Sequence, residues 1–77
     1  MTCPLDTLAP GDSAVIVCVD VEDASLRDHL AALGLLPGTA VEVEERAPFG
    51  GPRLVRVGCA RYALGRDVAA RIVVTVS

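Results

Sequence analysis

The clearest pattern in this chain is a strict alternation of apolar and charged residues just past its middle. In Ala40–Arg46, Val41 and Val43 alternate with Glu42 and Glu44. A period of two places the valines on one face of a strand and the glutamates on the other. The pattern therefore predicts a half-buried antiparallel strand.

The same alternation resumes after a short loop. In Leu54–Gly58, Val55 and Val57 stand on either side of Arg56. The connecting segment 48–52 contains two prolines and two glycines, which is typical of a loop. The two alternating segments are therefore predicted to form a hairpin.

Three further segments have the composition of short strands. Ser13–Val21 is rich in Val and Ile and is expected to be buried on both faces for part of its length, while Arg61–Leu64 and Arg71–Val76 are shorter. Five short strands with tight turns favour a barrel, because closure removes exposed sheet edges. The predicted fold class is mainly β, a small five-stranded barrel.

One segment between the first two strands has a helical period. Three leucines at i, i+4 and i+7 form a single stripe: Leu26, Leu30 and Leu33. Asp23 or Ser25 is placed to cap the N-terminus of this helix, and Gly34 stands where a left-handed C-cap residue belongs. Gly65–Ala70 is predicted to hold one further helical turn before the last strand.

Composition supports a packed core in a small protein. Of the 77 residues, 52% are hydrophobic but only 3% are aromatic, which suits branched side chains packed on pleated strands. A chain of this length is expected to form one domain over residues 1–77. The strand and helix patterns predict a single shared core: Val41, Val43, Val55, Val57, Ile72 and Val74 with Leu26, Leu30 and Leu33.

Charge is distributed unevenly along the chain. Residues 1–45 hold nine acidic residues and one arginine, whereas residues 46–77 hold six arginines and one acidic residue. Such asymmetry is compatible with a nucleic-acid patch, but the two halves are expected to interleave so that their charges mix across strands. The net charge of −3, the absence of lysine and the scarcity of stacking aromatics weigh against a nucleic-acid partner.

The residues that carry chemistry are few. Cys18 and Cys59 lie in strand-like segments and are expected to be buried as small hydrophobes, while Cys3 stands near a frayed terminus. His29, the only histidine, is expected to be a partly exposed packing residue. No CxxC pair and no nucleophile–base pair is visible, so we expect no metal site, no cofactor and no enzymatic activity.

The widely spaced, odd number of cysteines indicates reduced thiols and a cytosolic protein. The sequence shows no secretory leader and no apolar run long enough to span a membrane, so no direct membrane insertion is expected.

Several motifs together resemble the FeoA family. The segment Leu26–Thr39 is similar to the family's helix-to-strand signature, Arg46–Pro52 to its Pro-x-Gly-x-Pro loop, and Tyr62–Val74 to its last two strands. The chain departs from the family pattern at His29 and Gly65, where arginine is usual. The polar contacts that those arginines make in the family are therefore not expected in this chain.

The resemblance implies an SH3-like barrel with one inserted helix. It also implies a small accessory or regulatory protein that binds the cytoplasmic GTPase domain of a FeoB-type membrane transporter in ferrous iron uptake. Such a protein is expected to be cytoplasmic, at the inner membrane through its partner. Related barrels occur in DtxR-type iron-dependent repressors, so a stand-alone metal-sensing or regulatory domain is the alternative.

The loop between the two alternating strands is the candidate docking element. Phe49 is the only phenylalanine, and it either folds back over the mouth of the barrel or is an exposed anchor for a protein partner. The flanking prolines reduce the entropy lost on binding. The turn after the helix is expected to extend this surface with an exposed leucine, and flanking arginines to steer an acidic partner. The predicted partner-binding residues are Leu35, Leu36, Arg46, Pro48, Phe49, Gly50, Gly51, Pro52 and Arg53.

Overall fold

The computed structural model describes residues 2–46 and 52–76. Within these ranges the chain forms six strands, two α-helices and one 3₁₀ turn. In chain order they are β1 (Thr2–Pro4), the 3₁₀ turn (Leu5–Thr7), β2 (Ser13–Val19), α1 (Ala24–Ala32), β3 (Ala40–Arg46), β4 (Arg53–Val57), β5 (Ala60–Leu64), α2 (Arg66–Ala69) and β6 (Ile72–Val76).

All six strands belong to one antiparallel sheet. Their order is β1-β6-β2-β3-β4-β5. The mainly β fold class is confirmed, and α2 supplies the helical turn predicted before the last strand. The prediction of five strands is wrong by one, because Thr2–Pro4 pairs with β6 through Thr2↔Thr75 and Pro4↔Val73.

The expected closure of the sheet into a barrel is not found among the described residues. β1 and β5 are the two edges of the sheet, and neither pairs with the other. Side chains of α1 pack on the core beside β5, with Leu26, Leu33 and Tyr62 all partly buried against it. On this side of the sheet, α1 covers apolar side chains of the core, as a neighbouring strand would in a closed barrel. The hydrogen-bonding edge of β5 is not used by this packing.

The core joins the strands to the helix as the sequence patterns predict. Five of the six predicted strand residues are buried, and Val57 packs against them while partly exposed. Leu30 is 2% exposed and lies in the same cluster, with Leu26 and Leu33 packed at its margin. The described core consists of Leu5, Leu8, Ala14, Ile16, Val21, Leu30, Leu35, Val41, Val43, Val55, Leu64, Ala69, Ile72 and Val74.

Local side-chain and backbone preferences set the ends of α1. Oδ1 of Asp23 accepts hydrogen bonds from the backbone N–H groups of Ser25 at 2.9 Å and Leu26 at 3.4 Å, so Asp23 is the N-cap. Gly34 takes a φ of 94° just past the helix, and Gly38 a φ of 91° in the turn before β3. Both values lie in the left-handed region that glycine adopts without a steric penalty.

The expected burial of Cys18 and Cys59 is wrong, since both cysteines are exposed. The register with β6 shifts between Ile16 and Cys18, which leaves Val17 as an extra residue, 43% exposed. Beyond the bulge Cys18 is also exposed, so β2 is not buried on both faces there. Cys59 is exposed as well, because it lies in the turn between β4 and β5 rather than in a strand.

Candidate partner-binding surface

Most of the predicted docking loop lies outside the described residues. Pro48, Phe49, Gly50 and Gly51, and the side chain of Arg46, are in this group. Pro52 is described and exposed.

Arg53 is half-buried and is held by the N-terminal segment. Its Nη1 donates a hydrogen bond to the carbonyl oxygen of Leu8 at 3.2 Å, and its Nη2 donates to the carbonyl oxygen of Asp6. Both bonds are charge-assisted, which strengthens them. Arg53 therefore holds the start of β4 against the N-terminal segment that contains the 3₁₀ turn.

One of the two leucines in the turn after α1 is exposed to solvent. Leu35 is 1% exposed, and its N–H donates to the carbonyl oxygen of Leu30 at 3.0 Å, so it belongs to the core. Its inclusion in the docking surface is corrected on this ground. Leu36 is 47% exposed and is the leucine that faces solvent.

The two parts of the predicted surface lie at opposite ends of β3. Leu36 precedes the start of this strand, whereas the docking loop follows its last residue, Arg46. A seven-residue strand spans roughly 20 Å at its usual rise per residue. The Leu36 turn is therefore separated by the length of β3 from Arg46, the last described residue before the loop.

A ladder of alternating charges covers the outward side of β3, β4 and β5. Nη2 of Arg56 lies 2.7 Å from Oε1 of Glu42, and Nε of Arg61 lies 3.3 Å from Oε1 of Glu44. Nε of Arg56 lies 3.7 Å from the same Glu44 oxygen. This charged ladder (Glu42, Glu44, Arg56 and Arg61) confirms that the acidic and basic parts of the sequence mix across strands.

Glu44 stands between the two arginines of the ladder. Arg56 and Arg61 are direct cross-strand partners, a placement that sets like charges side by side. Oε1 of Glu44 is buried and accepts no hydrogen bond of good geometry from the described residues. Its contribution is therefore the charge attraction to both guanidinium groups.

The outward side of the other three strands carries no charged side chain among the described residues. In β2 and β6 the residues that alternate with the buried ones point outward, and in β1 only Cys3 turns toward the core. This uncharged face consists of Thr2, Pro4, Ser13, Val15, Val17, Cys18, Val73 and Thr75.

A groove of about 360 Å³ runs between α1 and β5. Its walls are mostly apolar, and their ionisable groups are the imidazole of His29, an exposed residue on α1, and the phenol of Tyr62 on β5. The leucine stripe of the helix predicted one wall of the groove. The packing of this stripe beside β5 is a long-range contact that no sequence pattern predicted. The lining of the groove includes Leu26, Leu33, Tyr62, Ala63 and Leu64.

Residues 2–46 and 52–76 contain no group of three or more His, Cys, Asp or Glu side chains placed to hold a metal ion. In the same residues, neither helix has the length and apolar character needed to cross a membrane.

Comparison with known proteins identifies the family. A FeoA domain matches residues 3–76. An iron uptake regulatory protein (FeoA) is 34% identical, with a TM-score of 0.87 over 100% of this chain and 99% of that one. The FeoA of Stenotrophomonas maltophilia, solved with zinc and described as an SH3 domain protein, is 36% identical, with a TM-score of 0.81 over 97% and 89% of the two chains.

The same fold occurs as one part of larger regulators. T. acidophilum IdeR is 26% identical, with a TM-score of 0.86 over 99% of this chain but 34% of the regulator. No curated protein sequence matches the chain. The FeoA domain matched over residues 3–76 and the full-length likeness to a solved FeoA show that this chain belongs to the FeoA family.

Proposed function

We propose that this chain is an accessory protein that binds the cytoplasmic GTPase domain of a FeoB-type transporter and so regulates ferrous iron uptake. The observation that carries the proposal is the FeoA match over residues 3–76, since this family belongs to iron transport. We propose that it acts by presenting a surface to this partner rather than by catalysis, as suits a member of an accessory-domain family. We propose likewise that residues 1–77 form a single FeoA-like domain.

The position of the protein in the cell follows from that partner. We place it in the cytoplasm, held at the inner membrane through the transporter. Nucleic acid is a poor alternative partner, because four of the seven arginines are already engaged. Arg56 and Arg61 pair with glutamates, and Arg27 and Arg53 donate to backbone carbonyl oxygens.

The loop 48–52 is the first candidate for the docking element. Arg53 ties the start of β4 to the N-terminal segment, which gives the loop a fixed base on that side. A preorganised base lowers the entropy cost of binding. Phe49 supplies the largest apolar side chain of the segment, and aromatic anchors are common at the centres of interfaces.

The test is a titration of three proteins against the soluble GTPase domain of the transporter. Phe49→Ala is expected to weaken binding at least about tenfold, as truncation of an interface anchor does. Leu36→Ala tests the second candidate contact, in the turn before β3, and is expected to weaken binding less than Phe49→Ala does. A greater loss of affinity in Leu36→Ala than in Phe49→Ala would place the docking site at the Leu36 turn. Equal affinities of the wild type and the two variants would exclude both sites.

The likeness to IdeR favours one second candidate, a metal-sensing or regulatory domain of the kind found in repressors. The two proposals differ in what the isolated protein binds. Titration with ferrous or manganous ions under anaerobic conditions separates them: saturable binding of one ion per chain supports the sensor, and its absence supports the accessory protein.

A further inference from the structure

We propose that the free edge of β5 and the groove beside it bind an extended peptide, which adds to the sheet as a further antiparallel strand. Strand addition is a mode of peptide recognition that the proposed function does not specify. It stands or fails independently of whether the transporter supplies the peptide.

The free edge presents unpaired backbone groups. Gly58 and Cys59 form a two-residue hairpin loop closed by the pair Val57↔Ala60. Such a loop is closed by a hydrogen-bonded pair, and in an antiparallel ladder these pairs alternate with non-bonded ones. The N–H and C=O groups of Arg61 and Ala63 therefore point away from β4, and no described residue bonds to them.

The two edges of the sheet differ in how they are protected. β1 has three residues, one of them Pro4, and both features discourage the addition of another strand. β5 has five residues without proline, and it pairs with β4 in continuous register, so no bulge bends it away. The charged side chain of Arg61 is turned toward Glu44 on the outward face. β5 is thus the edge that accepts a strand.

The groove provides sites for the side chains of such a strand. Tyr62 and Leu64 point inward from β5, yet outward-pointing Ala63 also lines the groove. The groove therefore passes along the edge itself. Opposite it stand Leu26 and Leu33 of α1, which are partly buried against the core. Alternate side chains of an added strand would enter this apolar space.

The charge near the edge narrows the chemistry of the peptide. Arg66 is exposed directly after β5 and forms no ion pair with a described residue. The groove lining contains no carboxylate. We therefore assign the site to an extended peptide with apolar residues at alternate positions. A carboxylate at the N-terminal end of this peptide would face Arg66, because the added strand runs antiparallel to β5. A helical segment cannot satisfy the backbone groups of the edge.

The probe is the blocked hexapeptide acetyl-Glu-Thr-Val-Thr-Val-Thr-amide, added to the ¹⁵N-labelled protein, because antiparallel pairing places the N-terminal Glu at the end of β5 that leads to Arg66. Strand addition is expected to slow amide hydrogen exchange at Arg61 and Ala63 at least about tenfold at saturation, because their N–H groups become bonded. Exchange at Tyr62, whose N–H faces β4, changes less. No binding at a peptide concentration of about 1 mM overturns the proposal.

Two N-methylated peptides separate strand addition from simple filling of the groove. In antiparallel addition the threonine N–H groups face β5, so methylation at the threonines is expected to weaken binding at least about tenfold. Methylation at the valines is the matched control and leaves these bonds intact. Equal affinities of the two methylated peptides would overturn the proposal.

A pair of protein variants gives a second, independent readout. Ala63→Pro removes an edge N–H but no bond of the β4–β5 ladder, and Ala63→Thr retains the N–H with a larger side chain. The proline variant is expected to lose the peptide while the threonine variant keeps it. Unchanged binding by a folded Ala63→Pro protein contradicts strand addition, and the N-methylated peptides decide the case if that variant does not fold.

Discussion

The two halves of the sheet share one core but present different outward surfaces. Beneath both, valines, isoleucines and leucines are buried in a single cluster. Above β3, β4 and β5 lies the charged ladder, whereas the uncharged face covers β1, β6 and β2. The contrast shows that burial of the inward side defines the fold, while the outward side is free to specialise.

The order of the strands brings the acidic and the basic parts of the sequence together. The acidic strand β3 and the basic strands β4 and β5 are neighbours in space, so opposite charges meet across the ladder. β2 and β6 are distant in sequence, yet they pair directly, and neither contributes an outward charge to the face they share. On the outward side of the sheet, the segregated sequence thus gives a charge-balanced ladder beside an uncharged face.

The largest expected effect comes from the core that the two halves share. Leu30→Ala removes a side chain that is 2% exposed and is expected to destabilise the protein by about 2–5 kcal/mol, from lost burial and the cavity left behind. Leu36→Ala makes the same change at a residue that is 47% exposed, and we expect less than about 0.5 kcal/mol. Urea unfolding of both variants measures the difference, and equal losses would contradict the assigned core.

An intermediate effect is expected in the charged ladder. Glu44→Gln leaves Arg56 and Arg61 as unscreened cross-strand neighbours, so we expect a loss of about 0.5–1 kcal/mol at low salt. The loss should shrink in about 1 M NaCl, where charge interactions are screened within a few ångströms. Urea unfolding at both salt concentrations is the measurement. A loss that does not depend on salt would mean that Glu44 acts through packing.

The smallest effect is expected on the uncharged face. Val17→Thr changes an exposed bulge residue to another β-branched one, so the free energy of unfolding should shift by less than about 0.5 kcal/mol at either salt concentration. Chemical unfolding beside the Glu44→Gln variant gives the comparison. A large loss of stability in Val17→Thr would show that this side chain packs against residues outside the described part of the chain.

The sequence predicted the regular parts of this fold well, because their signals are local. The alternation in Ala40–Arg46 gave the bounds of β3, and the left-handed conformations of Gly34 and Gly38 follow from their places after a helix and in a Pro-Gly turn. The leucine stripe located α1 in the same way. Each of these features depends on residues only a few positions apart.

The features that were missed depend on long-range contacts. β1 is too short to show a period, and it exists as a strand because β6, at the other end of the chain, pairs with it. The bulge at Val17 likewise arises from the register between β2 and β6 and leaves Cys18 exposed. The groove beside β5 requires the packing of α1 on a strand some thirty residues away, which no local pattern encodes.

The central claim is that this FeoA-family protein acts by binding a transporter's GTPase domain. Isothermal titration of the wild-type protein into that soluble domain tests it most directly, in the presence and absence of guanine nucleotide. We expect saturable binding with one protein per domain and an affinity in the range of transient complexes, about 1–100 µM. No binding in either nucleotide state, with both proteins folded, would contradict the account.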